Sequence, residues 1–140
     1  MESAIKALPQ TGRNNPMNVF IVEDAPKTRK ELANLVANEK DFAVVGEAGS
    51  VREALVGIEA TLPEVVLLDI TLPDGSGVEV LKSIWQHHRI LSVVVLTSNP
   101  YDALRTKCQS LGAVAVLDKL DGLEQVRGAL LALSPSLKVN

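Results

Sequence analysis

Aromatic residues are scarce in this chain: two Phe, one Tyr and one Trp among 140 residues. The core must therefore be packed by Val, Leu, Ile and Ala rather than by stacked rings. A single cysteine, Cys108, excludes a disulfide framework and suits a reducing compartment. No run approaches the ~20 apolar residues of a membrane-spanning helix. The start, Met1 to Pro16, has scattered apolar positions interrupted by Lys6 and is no signal peptide. A cytoplasmic protein with no membrane contact is the expectation. Charge of one sign is also missing. The 14 basic and 17 acidic residues leave a net charge of −3, which argues against direct nucleic-acid binding as the main feature. The length suits one domain with a core of its own.

Four short, wholly apolar runs are present, and each stops at a polar or charged residue. Val19–Val22 stops at Glu23-Asp24, Val65–Leu68 at Asp69, Val93–Leu96 at Thr97, and Val114–Leu117 at Asp118-Lys119. Runs of this length, rich in β-branched residues and separated by helical stretches, read as buried parallel strands. Phe42–Val45 adds a shorter strand. Between them lie helical patterns. Pro26 suits a helix first turn, and Thr28, Leu32, Leu35 and Val36 share one face. Ser50-Val51-Arg52-Glu53 has the form of a capping box, followed by Val51, Ala54, Leu55 and Ile58 at helical spacing, with Pro63 ending the unit. Leu81, Ile84 and Trp85 mark a third helix, Trp85 at the core edge. A fourth starts at Pro100 or Tyr101 and closes at Gly112. Cys108 falls on its apolar face with Leu104 and Leu111, which predicts a buried structural thiol. Asp121-Gly122-Leu123-Glu124 predicts a second capping box ahead of Leu123, Val126 and Leu130.

Five strands alternating with five helices predict an α/β fold with a doubly wound parallel sheet. The ordered unit is expected over residues 18–133. A polar leader covers 1–17 and a short tail 134–140, with no output domain in view.

In an open parallel sheet, ligands sit outside the carboxyl ends of the strands. That rule gathers Glu23, Asp24, Asp69, Thr97 and Lys119 at one edge. Two carboxylates ~5 Å apart repel by about 3 kcal/mol at an effective dielectric of ~20, so such crowding calls for a cation. Magnesium suits it, because Mg²⁺ takes oxygen ligands and keeps several waters. A carboxylate beside the metal can also attack phosphorus. Transfer of a phosphoryl group is then mostly positioning and charge neutralisation, to which the Lys119 ammonium and the Thr97 hydroxyl are suited. Taken singly, each residue has an ordinary role: a strand-end Asp as turn former or cap, Thr97 as a cap, Lys119 as a solvated charge. The joint pattern is what points to a site.

The set Glu23-Asp24, Asp69, Thr97 and Lys119 resembles the receiver domain of two-component response regulators, in order and in spacing, from Asn18 to about Leu133. Asp69-Ile70-Thr71-Leu72-Pro73-Asp74-Gly75-Ser76-Gly77 resembles that family's phosphoacceptor loop, and Thr97-Ser98 its hydroxyl followed by a small residue. The resemblance implies a flavodoxin-like sheet of order 2-1-3-4-5. It implies Asp69 as phosphoacceptor, Mg²⁺ held by Asp24, by Glu23 through water, by Asp69 and by the Thr71 backbone carbonyl, and Thr97, Ser98 and Lys119 around the phosphoryl group. The implied partners are a sensor histidine kinase or phosphotransfer protein as donor, with acetyl phosphate as a small-molecule substitute, and a downstream protein target or a second copy of the chain.

The chain departs from the family pattern twice. Val116 stands where an aromatic readout residue is usual, with Tyr101 as the candidate in its place. Leu120 follows the lysine where proline is common. Those departures keep open a degenerate receiver, a phosphate-independent interaction module. A Mg²⁺ phosphohydrolase is the third class, although Thr71 stands where such enzymes carry a second Asp. His87-His88 are expected to end the third helix in solvent, and Asp74 is expected to form a turn rather than bind metal.

Overall fold

A computed structural model describes residues 15–87 and 90–134. Five parallel strands form the sheet: β1 (Met17–Val22), β2 (Phe42–Ala48), β3 (Val65–Asp69), β4 (Ser92–Thr97) and β5 (Ala113–Asp118). Five α-helices connect them: α1 (Pro26–Ala37), α2 (Val51–Thr61), α3 (Gly77–His87), α4 (Asp102–Ser110) and α5 (Leu123–Leu133). A small antiparallel hairpin, Thr71–Leu72 against Gly75–Ser76, leads from β3 into α3. The sheet order is 2-1-3-4-5, the flavodoxin-like order expected.

Alternation along the strands sends side chains to two cores. Phe20, Val22, Val66, Leu68, Val93 and Val95 meet Ala54, Ile58, Leu81, Ile84, Leu104 and Cys108 from α2, α3 and α4. Val19, Ile21, Val65, Leu67, Val94 and Leu96 meet Leu32, Val36, Val126 and Leu130 from α1 and α5. The central strand β3 is buried along its whole length, which is why it reads as an unbroken apolar run. The place of β5 is as expected, but the full burial of its apolar run is not. β5 is an edge strand, and Val114 is 53% exposed because the sheet ends there.

Several local expectations hold and others do not. Ser50 caps α2 by accepting from the Glu53 N–H (3.1 Å), but Glu53 reaches back to the N–H of Gly49 (2.9 Å) rather than of Ser50. The second capping box does not form. Asp121 is taken into a 3₁₀ turn, Lys119–Asp121, which Asp118 caps by accepting from the Leu120 N–H (2.9 Å), and Gly122 at φ 89° then leads into α5 without a side-chain cap. Helix α4 starts at Asp102, with Tyr101 as its N-cap residue. Leu55 lies outside the core face of α2. Strand β1 opens at Met17, paired with Phe42, within the span expected for the leader; residues 1–14 and 135–140 fall outside the described residues, as does His88. His87 is exposed, as expected.

The lack of aromatics makes the few rings decisive. Phe20, 2% exposed, lies between two glycines: a Cβ on Gly46 would sit 2.5 Å from its ring and one on Gly57 2.4 Å. Trp85 lies over Gly112 in the same way and is otherwise half-exposed. An alanine in a helix is favoured over glycine by about 1 kcal/mol. At position 57 the collision with a confined ring outweighs that gain. Gly57→Ala is expected to lower stability by about 1–2 kcal/mol, and in a Phe20→Leu background the same change becomes neutral or stabilising. A double-mutant cycle by urea unfolding checks the sign reversal.

Candidate phosphoacceptor site

The carboxyl edge of the sheet is built by register. Val22 pairs with Leu68, Asp69 with Leu96, and Thr97 with Asp118. The residues that end β1 and β4 therefore flank the end of β3, and those that end β5 lie one strand further out. Oxygens of Glu23, Asp24 and Asp69 lie within 4.8 Å of one another. Glu23 is fully buried, Asp69 is nearly so, and Asp24 faces solvent. Lys119 spans the pair, its Nζ 2.8 Å from Glu23 Oε1 and 3.4 Å from Asp69 Oδ2. Glu23 Oε2 also accepts from the Ala25 N–H (3.1 Å), and Asp69 Oδ1 from the Thr71 N–H (3.2 Å). A buried carboxylate needs this kind of pairing to remain charged.

The backbone around the acids is pinned. Arg29 of α1 donates from Nη1 to the Glu23 carbonyl (2.8 Å) and pairs through Nε with Glu47 at the end of β2 (3.4 Å). A Cβ on Gly77 would lie 2.2 Å from the Asp69 carbonyl oxygen, and the Gly77 N–H donates to the Ile70 carbonyl (2.7 Å). Only glycine permits that approach of α3 to the end of β3. Neither role is evident in the chain as written: Arg29 reads as one more charge on an amphipathic helix, and Gly77 as one more turn glycine.

Thr97 is buried, and its Oγ1 accepts from the Asn99 N–H (3.1 Å), leaving its own proton for another acceptor. Ser98 follows it and is exposed. Thr71 lies two residues past Asp69 on the hairpin. Tyr101 is 55% exposed at the start of α4. Val116 is buried in the core, and its carbonyl accepts from Arg105 Nη1 of α4 (2.7 Å). No cis peptide bond occurs among the described residues, so Lys119–Leu120 is trans. Asp74 sits in the hairpin turn, and its carboxylate has a further use: it accepts from the N–H groups of Val51 and Arg52 at the start of α2. Cys108 is fully buried, and burial pushes its thiol pKa up, as befits a structural cysteine.

Burial, and next the Glu23 charge, raise the Asp69 carboxyl from its ordinary 3.8 to about 6, against the opposing pull of Lys119 and the Thr71 N–H. Lys119 is raised by its two carboxylate partners, although its own desolvation opposes this. The folded chain thus takes up a proton on Asp69 near pH 6, and the unfolded chain only near pH 3.8. Between those values the folded state binds more protons, so this group's contribution to stability rises as pH falls. In metal-free buffer, Asp69→Asn is expected to melt above wild type at pH 7, with the gap closing by about pH 4. Thermal melts in EDTA across that range check it; a gap independent of pH contradicts the assignment.

Residues 19–130 match the family model described as the response regulator receiver domain. The chain is 35% identical over 112 residues to the DNA-binding transcriptional activator DevR/DosR of Mycobacterium tuberculosis, covering 79% of this chain and 52% of that protein. It is 32% identical over 108 residues to a protein-glutamate methylesterase/protein-glutamine glutaminase of Anaeromyxobacter dehalogenans, covering 77% of this chain and 31% of that one. The chain thus spans about half or less of the length of these relatives. Among solved structures, it resembles the isolated receiver domain of RcsB from Salmonella enterica serovar Typhimurium, solved with the phosphomimetic BeF₃⁻, at TM-score 0.78 and 26% identity, with 85% and 88% of the two chains covered. The response regulator domain of Thermotoga maritima CheB gives TM-score 0.75 and 27% identity, with 84% and 92% covered. Receiver domains bind Mg²⁺ at an acidic pocket, and this chain has the acidic cluster Glu23, Asp24 and Asp69. With the match running from β1 into α5 and the acidic strand ends in place, the chain belongs to the response regulator receiver domain family of two-component systems.

Proposed function

We propose that this chain is a phosphorylation-controlled switch that accepts a phosphoryl group on Asp69. The observation that carries the reading is the convergence of Glu23, Asp24 and Asp69 within 4.8 Å, with the Lys119 ammonium on two of them. Three clustered carboxylates with one ammonium leave excess negative charge, which fits a divalent cation. Mg²⁺ would be held by Asp24, Asp69 and the Thr71 carbonyl, with Glu23 acting through water; when bound, it supplies neutralisation of the incoming phosphoryl oxygens.

An Asp69 carboxylate oxygen attacks phosphorus of the donor phosphohistidine. An O–P bond forms, the P–N bond breaks, and its electron pair leaves with the imidazole. Lys119 keeps Asp69 ionised and then turns to the phosphoryl group. Thr97 donates its hydroxyl to a phosphoryl oxygen, aided by Ser98 at the open side. The new charge draws Thr97 and Lys119 inward. The loops after β3 and β4 repack, which biases two states of the face formed by α4, β5 and α5. Val116 is buried and its carbonyl is occupied by Arg105, so the readout in this chain runs through backbone position, with Tyr101 the aromatic at the start of α4. Upstream stands a sensor histidine kinase or phosphotransfer protein, and downstream a protein target or a second copy. Among the described residues no helix is long and apolar enough to cross a membrane.

Incubation with Mg²⁺ and acetyl phosphate is expected to yield one acid-stable, base-labile adduct per wild-type chain and none on Asp69→Asn, read by intact mass. Many turnovers favour a hydrolase, and no adduct favours an interaction module. Thr97→Ala is expected to accept the phosphoryl group yet lose the accompanying change in amide hydrogen exchange over residues 98–118. A full response in that variant contradicts the switch role of Thr97.

A further inference from the structure

The hairpin that carries Thr71 has only two residue pairs, Thr71 with Ser76 and Leu72 with Gly75. A hairpin so short does not hold itself in water. Leu72 anchors it from below, buried in the core cluster that also contains Val51. The second anchor is polar and comes from the turn. Asp74 Oδ1 accepts from the Val51 N–H at 2.7 Å, and Oδ2 accepts from the Arg52 N–H at 3.1 Å.

These are the first two amides of α2, which the helix cannot satisfy internally. Ser50 takes the Glu53 amide, the third of that turn, and Glu53 returns to Gly49. Asp74, 22 and 23 residues away in the chain, thus completes the cap of a helix to which it does not belong. Its negative charge lies at the positive end of α2, and the two amides hold its carboxyl below the usual range. On the other side of the turn, the Ser76 N–H donates to Glu79 (3.2 Å) and a Cβ on Gly75 would touch Val51 (3.4 Å). The path from the cap to the site is short. Asp74 fixes the turn, the turn fixes the two-residue arms, and the first arm places the Thr71 N–H on Asp69 Oδ1 (3.2 Å).

We propose that Asp74 is a positioning residue for the phosphoacceptor site: by clasping the first turn of α2 it holds the hairpin that sets Thr71 beside Asp69. This rests on the reading of Asp69 as phosphoacceptor and of Thr71 as a metal ligand. Asp74 touches neither the metal nor the phosphoryl group. It acts as partners behind the ligands of a metal site act, by restricting where a ligand can go.

Four forms of the full 140-residue chain test it: wild type, Asp74→Ala, Asp74→Asn and Ser50→Ala. Mg²⁺ affinity is measured by titration calorimetry, and labelling by acetyl phosphate is followed at low and at saturating Mg²⁺. Asp74→Ala is expected to weaken Mg²⁺ binding about tenfold, the low end for residues behind metal ligands. Its labelling should slow at low Mg²⁺ and recover at saturation. Asp74→Asn, which keeps one acceptor oxygen and the shape of the turn, should fall between, and it decides the matter if the alanine variant does not fold. Ser50→Ala removes another cap from the same helix turn without touching the hairpin, and should bind Mg²⁺ as wild type does. Wild-type affinity in both Asp74 variants overturns the proposal, and so does an equal loss in Ser50→Ala. A wild-type chain that neither binds Mg²⁺ nor takes phosphate removes the underlying reading and this proposal with it, whereas a labelled wild type with an unaffected Asp74→Ala removes this proposal alone.

Discussion

A single ammonium between two buried carboxylates governs this molecule. Glu23 is shut away from water and Asp69 almost so, and Lys119 supplies both with a charged partner there. The lysine arrives from the far end of the fold: it is 96 residues from Glu23 and 50 from Asp69 in the chain. Four strands, β1, β3, β4 and β5, must therefore be in register before these contacts can form. The same crowding raises the Asp69 carboxyl while Lys119 pulls against it. The site is an electrostatic conflict held in place by a rigid sheet. That condition suits a divalent cation, whose charge relieves the crowding.

Rigidity comes from close packing with few rings. Phe20 fits because Gly46 and Gly57 leave room for it, and Trp85 because Gly112 does. At the site the same economy appears in the backbone. Gly77 lets α3 begin against the Asp69 carbonyl, and Arg29 ties the Glu23 carbonyl toward the end of β2. The face around β5 is built more openly. Val114 and Leu120 are largely exposed, and Arg105 reaches across from α4 to the Val116 carbonyl. A tightly held acid edge beside a looser outer face is the arrangement expected of a domain that takes a signal at one place and shows it at another.

Much of this was legible along the chain because its signals are local. Apolar runs ending in Asp69 or Lys119 mark strands and their carboxyl ends without any knowledge of partners. Ser50 and Glu53 mark the start of α2 because a capping box closes within four residues. Where the local signal was ambiguous, reading failed for a physical reason. Asp121 has the spacing of a cap, but Asp118 competes for the same turn and draws Asp121 into a 3₁₀ segment. Val114 belongs to an apolar run, but β5 lies at the sheet edge and has nothing beyond it. Asp74 reads as a turn former because its second role, capping α2, depends on a helix more than 20 residues earlier in the chain.

Periodicity and strand-end chemistry in the bare chain were enough for the α/β class, the parallel sheet, and the residues that would meet at its carboxyl edge. They rest on rules that act over a few residues or along one sheet. The folded chain alone established that Lys119 sits on both Glu23 and Asp69, that Glu23 is buried while Asp24 is not, and that Arg29, Asp74 and Gly77 brace the loops. Those facts depend on distances between segments far apart in the chain, and such distances exist only once two cores have closed on the two faces of the sheet.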